Sequence, residues 1–227
     1  MILALAAALA AAAPLACPDA TTPEAHVCRA LEASSSGKPD VAAAAFERAA
    51  GAAQASDPTA SRAWAAAGNM WIAANQPGKA AFALDKALAG TGLRAEQRGE
   101  ALLDRGRAAE AQGQLKVARA KVTEAVQTIS KDPFLWYFSA ALAIRENDKA
   151  LAQSSIARAL ALAPGDPTML FEAGHVAHFA GDVAGARAHW TRAAAADPSG
   201  ASGKAARDAL ALLGPAPSVK SEAASAK

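Results

Sequence analysis

Between Asp132 and Pro198 the chain writes one pattern of large, tiny and turn-forming residues twice, 34 residues apart. With Pro133 laid on Pro167, Trp136 falls on Leu170, Ala140 on Gly174 and Ala152 on Ala186. Ile156 then falls on Trp190, Ala159 on Ala193 and Pro164 on Pro198. No stretch alternates β-branched with polar residues over the length of a strand, so the pattern predicts helices throughout. Asp132-Pro133 and Asp166-Pro167 read as helix starts, the carboxylate accepting from free backbone N–H groups and proline filling the first helical position. In the earlier copy a first helix is expected from Pro133 to about Glu146. A second follows Asn147-Asp148 and runs to about Leu162, where Pro164-Gly165 ends it. Gly181-Asp182 makes the equivalent turn in the later copy. Tiny residues at Ala140, Gly174, Ala152, Ala159, Ala186 and Ala193 let paired helices approach closely, and Trp136, Leu170, Ile156 and Trp190 fill what remains. One such pair cannot bury its apolar face alone, so neighbouring pairs must stack.

The same register extends towards the N-terminus. A unit from Ser61 carries Trp64, Ala67-Gly68, Trp71, Ala80, Leu84 and Ala87 at corresponding positions, with Asn75-Gln76-Pro77-Gly78 as its turn. A unit from Gly99 to Asp132 carries Leu102, Gly106, Gly113, Ala118, Val122 and Ala125. From Pro23 to about Ser56 the match is looser, through Ala30, Ala42, Phe46 and Ala49, with Gly37 at the turn. After Pro198, Ala205, Ala209, Leu210 and Leu213 share one face of an expected helix over 201–213, opposite Lys204, Arg207 and Asp208. That helix would cover the open apolar face of the last pair. Gly214-Pro215-Ala216-Pro217 follows, and residues 214–227 are expected to form a disordered tail.

A 34-residue period with this placement of large, small and proline residues resembles the tetratricopeptide repeat (TPR), a helix–turn–helix unit. Trp64-x-x-Ala67-Gly68-x-x-Trp71 is this chain's nearest approach to the family's Trp-x-x-Leu-Gly-x-x-Tyr, while Arg105 and Ser130 replace its usual Leu and Pro. The resemblance covers residues 23–213 and implies an all-α, right-handed superhelical solenoid with a C-terminal capping helix. Its units would span about 23–56, 61–94, 99–132, 133–166 and 167–200. The resemblance further implies a non-catalytic scaffold that holds a peptide or helix of a partner protein in a concave groove lined by the first helices. Carried over position by position, the groove residues would be Arg62, Asn69, Arg107, Phe134, Tyr137, Phe171, His175 and His178, with Glu100, Glu110, Ile144, Arg145 and Phe179 beside them. The charged clamp by which some members hold a terminal carboxylate is lacking. Asn69 stands alone, and Ala65 and Thr168 occupy positions where lysine would be expected. The expected guest is therefore a segment with apolar anchors docking near Tyr137 and Phe171.

Composition narrows the function further. Hydrophobic residues make up 52% of the chain but aromatics only 5%, much of the balance being alanine, so cores must be thin and helices close-packed. With 23 basic and 21 acidic residues interspersed, the net charge of +2 leaves no electrostatic footprint for nucleic acid. No nucleophile elbow or dinucleotide fingerprint occurs, and Ser34-Ser35-Ser36-Gly37-Lys38 lacks the rest of a phosphate-binding loop. Neither a catalytic residue nor a cofactor is expected. Glu172, His175 and His178 fall near one helical face and are metal-ligand types. Their drifting three-residue steps chelate poorly, so solvated groove residues without a metal are the expectation.

Met1 to Ala16 contains no charge, and its Leu/Ala run is too short and alanine-rich for a membrane span. Residues 1–16 read as a secretory signal, although the usual basic residues near Met1 are missing. Export would set the redox context for the two cysteines, Cys17 and Cys28, which are then expected to pair. The alternative is a bacterial lipobox at Leu15-Ala16-Cys17, with Cys17 acylated and the chain acting as a lipid-anchored assembly factor at a membrane. Pro14 stands where such sites carry leucine. In a cytoplasmic protein both would be free thiols. The expectation is a periplasmic or secreted protein with no membrane span in its mature chain.

Overall fold

The computed structural model describes residues 17–54 and 57–214; the expected signal segment 1–16 and the tail beyond Gly214 lie outside the described residues. The described residues form eleven helices and no strand. In order these are α1 (Pro23–Ser35), α2 (Pro39–Ala52), α3 (Pro58–Ala73), α4 (Pro77–Ala89), α5 (Ala95–Ala111), α6 (Leu115–Ile129), α7 (Pro133–Arg145), α8 (Lys149–Leu162), α9 (Pro167–Ala180), α10 (Val183–Ala196) and α11 (Ala201–Leu213).

Side-chain chemistry starts the helices. Thr22, Asp57, Asp132 and Asp166 accept from backbone N–H groups at the heads of α1, α3, α7 and α9, each with proline in the first turn. Asp148 and Asp182 cap α8 and α10. Within each pair the chain reverses through one residue in the left-handed region: Gly37, Asn75, Gly113, Asn147 or Gly181. Glycine enters that region freely and asparagine tolerates it, which is why only these two types stand there. Two helices start earlier than the repeat register implies. α3 begins at Pro58 rather than Ser61, because Asp57 caps it, its Oδ1 accepting from Thr59 N at 2.7 Å. α5 begins at Ala95 rather than Gly99, where the Arg94 N–H donates to Gln97 Oε1 at 3.1 Å. The extra residues between the second and third units thus become an added helical turn.

Packing follows the tiny residues. Ala42, Ala80, Ala118, Ala152 and Ala186, and seven residues on Ala49, Ala87, Ala125, Ala159 and Ala193, are all 0% exposed, so the second helices make their closest approaches along these two rows. Between the rows lie Phe46, Leu84, Val122, Ile156 and Trp190, all buried. Their seats are cut into the first helices: a Cβ on Gly68 would collide with Leu84, and one on Gly174 with Trp190. Each second helix also packs on the first helix of the next pair. First helices meet one another as well, α1 against α3, α3 against α5, α5 against α7 and α7 against α9. No second helix packs comparably on the next second helix, so the array curves with the first helices inside. α11 closes the last pair, packing on α10 and α9. Its inner face centres on Ala206, fully buried, with Ala209, Leu210 and Leu213. Ala206 takes the place expected of Ala205 because its spacing to 209, 210 and 213 follows the helical stripe.

Candidate partner-binding groove

Residues of α1, α3, α5 and α7 converge from the inner wall on an open cavity of about 540 Å³. Its apolar surface comes from Leu31, Phe46, Met70, Leu93 and Leu103, and its polar rim from Arg62, Asn69, Glu100, Asp104, Arg107 and Asp132. Arg62, Asn69, Arg107 and Phe134, carried over from the repeat register, all line it. Leu31 and Ser34 line it too, at positions the same register assigns once it is applied to the unit from Pro23. Asp104 and Asp132 escaped the register because neither occupies a standard groove position.

Hydrogen bonds divide the rim into satisfied and unsatisfied charges. Asn69 Nδ2 donates to Asp104 Oδ2 at 2.8 Å, and Arg107 Nη1 donates to Asp104 Oδ1 at 2.8 Å. The Arg107 guanidinium also lies 5.3 Å from the Phe134 ring centroid. Arg62 folds back on its own helix, donating to Pro58 O at 3.3 Å and Thr59 Oγ1 at 3.4 Å. Glu100 has neither a hydrogen bond nor an ion pair among the described residues. Burial first, then the charges of Glu96, Asp104 and Asp132, raise its pKa above the ordinary carboxylate value. A second cavity of about 500 Å³, lined by Glu96, Glu100, Lys131 and Asp132 among others, shares Glu100 and Asp132 with the first.

Tyr137, Phe171, His175 and His178 lie beyond this cavity, along α7 and α9. Tyr137 stacks on Phe134 at 5.2 Å, and burial together with the Glu172 charge raises its phenol pKa against the opposing Arg107. Phe171 packs on the core around Trp190 and stands 4.4 Å from the His175 ring. His175 Nδ1 lies 3.6 Å from Glu172 Oε2, and the His175 and His178 rings both lie against the Trp190 ring, at 5.6 and 5.9 Å. No group of three metal-ligating side chains among the described residues is placed to hold a metal ion.

No family model and no curated protein matches the chain. Solved structures do. YrrB, a TPR protein with an unusual peptide-binding site, matches with TM-score 0.60 and 20% identity, over 83% of this chain and 91% of its own. TTC0263, a thermophilic TPR protein of Thermus thermophilus, matches with TM-score 0.61 and 18% identity, over 84% and 98%. The fold is a TPR solenoid. PilW, a type IV pilus biogenesis factor, is similar too, with TM-score 0.67, 17% identity, and 80% and 81% coverage.

The head of this TPR array is tied down covalently. Cys17 and Cys28 form a disulfide, their Cα atoms 5.7 Å apart. Arg29 reinforces it, its Nη1 donating to Pro18 O at 2.9 Å and its Nη2 to Ala20 O at 2.7 Å. No helix among the described residues is long and apolar enough to cross a membrane.

Proposed function

We propose that the chain is a non-catalytic scaffold that holds a peptide or helix of a partner protein along the inner wall of its TPR array, in the bacterial periplasm. The convergence of four successive first helices on one open cavity carries this reading. A linear guest needs a wall with an apolar floor and a polar rim assembled from several repeats, and the cavity supplies both. The peptide-binding site of YrrB supports the same use of the fold by likeness. Export is supported by the Cys17–Cys28 disulfide and the uncharged run before it. A sulfur bonded to Cys28 is not free to carry a lipid, which favours the unanchored form over acylation at Cys17.

Site-specific photo-crosslinking tests the groove. A crosslinker at Asn69 is expected to trap a partner, whereas one at Phe82, on the outer helix α4 and 56% exposed, is expected to trap none. Adducts from Phe82 alone would place the contact on the outer face and overturn the reading. Intact mass of the mature chain addresses export: a cleaved chain lacking two hydrogens is expected, and an acyl increment on Cys17 would replace it with the lipid-anchored form.

A further inference from the structure

We propose that the segment received by this groove is cationic: a partner peptide carrying lysine or arginine beside an apolar anchor. The basic group would sit between Glu96, Glu100 and Asp132, and the anchor against Leu31, Met70 and Leu93. This rests on the groove reading above and adds the chemistry of the guest.

The charge inventory leads there. Of the two arginines lining the larger cavity, Arg107 is committed to Asp104 and Phe134, and Arg62 to its own helix. Neither is left to neutralise Glu100, which faces both cavities with Asp132 beside it. Lys131 is the cation among the residues lining the smaller cavity, against three carboxylates. The whole chain has a net charge of +2, so this anionic wall is a local arrangement and not a reflection of bulk composition. An anionic guest is disfavoured by the same contacts. The Asn69 amide that could have met a carboxylate is turned onto Asp104, and an incoming carboxylate would meet Glu100 and Asp104. Further along the wall Glu172 is 6% exposed, its Oε2 lying 3.6 Å from His175 Nδ1. Burial first, and then the charges of Glu96, Asp104 and Asp132, hold the pKa of Glu100 up, and a carboxylate left uncompensated in this way belongs at a site that meets a ligand. A guanidinium or ammonium placed there meets Glu96 and Glu100 together with the Asp132 carboxylate, whose Oδ1 also caps α7.

Selection of random linear peptides displayed on phage against the immobilised full chain tests the inference, followed by anisotropy titration of the enriched peptides and crosslinking from Asn69. Enriched sequences are expected to carry Lys or Arg next to Leu, Ile, Met or Phe. They should bind a Glu96→Gln/Glu100→Gln variant roughly tenfold more weakly and lose affinity as salt rises. Both glutamates are exposed, so the variant retains the fold. Neutral or acidic peptides that crosslink from Asn69 would overturn the cationic guest and leave the groove reading standing. Cationic peptides that bind the variant undiminished would do the same. A selection in which nothing enriched crosslinks from Asn69 would sink both.

Discussion

Glu100 projects from α5 as an exposed residue, with partial desolvation of its carboxyl and three neighbouring carboxylates set against its ionised form. A raised pKa in the folded chain has a definite consequence for stability. The stability contributed by the protonated group is fully present below the unfolded-state value, near 4.5, and is lost as pH rises through the folded-state value. Glu100→Gln removes the ionisation and should raise Tm at about pH 7, the gain shrinking to nothing by about pH 4. Thermal melts of both chains at the two pH values check this. A gain of equal size at the lower pH would mean that glutamine acts through packing instead. As a groove position Glu100 was legible in the repeat register. Its isolation was not, because that depends on Asp132 arriving at the head of α7 and on Arg107 turning away to Asp104.

A polar node joins three helices where the third and fourth pairs meet. Arg119 of α6 donates through Nη1 to Ser139 Oγ at 2.9 Å, through Nη2 to Ser139 O at 3.2 Å, and through Nε and Nη2 to Glu146 Oε2 at 2.9 and 2.6 Å. Ser139 Oγ lies 3.0 Å from Ser155 Oγ of α8, both serines buried. Replacing the arginine leaves the Glu146 carboxylate unpaired and Ser139 Oγ with Ser155 as its remaining partner. Arg119→Leu should therefore destabilise the fold by about 1–3 kcal/mol, and adding Glu146→Met should recover part of the loss by removing the unpaired charge. Urea melts of the single and double variants measure both steps; identical midpoints for the two would deny the coupling. Neither this node nor the early starts of α3 and α5 could be read from the repeat pattern. The pattern records which residues are tiny or large, and these contacts join polar residues across repeats at positions with no size requirement. The reversal residues and the alanine rows were legible because backbone geometry and helix separation leave few residue types able to occupy them. Arg105 falls between the two cases. Its departure from leucine was visible in the sequence, but its partner Asp85 on α4, at 2.8 Å, was not.

Across the whole array the core changes character from one end to the other. In the cluster built by α1 to α5, every buried member apart from Phe46, Trp71 and Leu84 is alanine. The cluster built by α5 to α9 contains Leu102, Leu103, Val122, Ile129, Leu135, Trp136, Phe138, Leu142, Ile156, Met169 and Val176. Burial contributes about 0.8 kcal/mol per methylene, so the N-terminal pairs gain less from stacking than the central ones. In a solenoid each pair is stabilised only by itself and its neighbours, and the deficit stays local. The Cys17–Cys28 bridge sits at that weaker end, where closing its short loop supplies roughly 2–3 kcal/mol through the unfolded state. Reduction should accordingly cut amide hydrogen-exchange protection in α1 and α2 and leave α7 to α9 unchanged. Exchange mass spectrometry with and without reductant distinguishes the two cases. An equal loss of protection in every helix would show that the array unfolds as one cooperative block, and that the alanine-rich pairs draw on the stability of the larger core despite their thin packing.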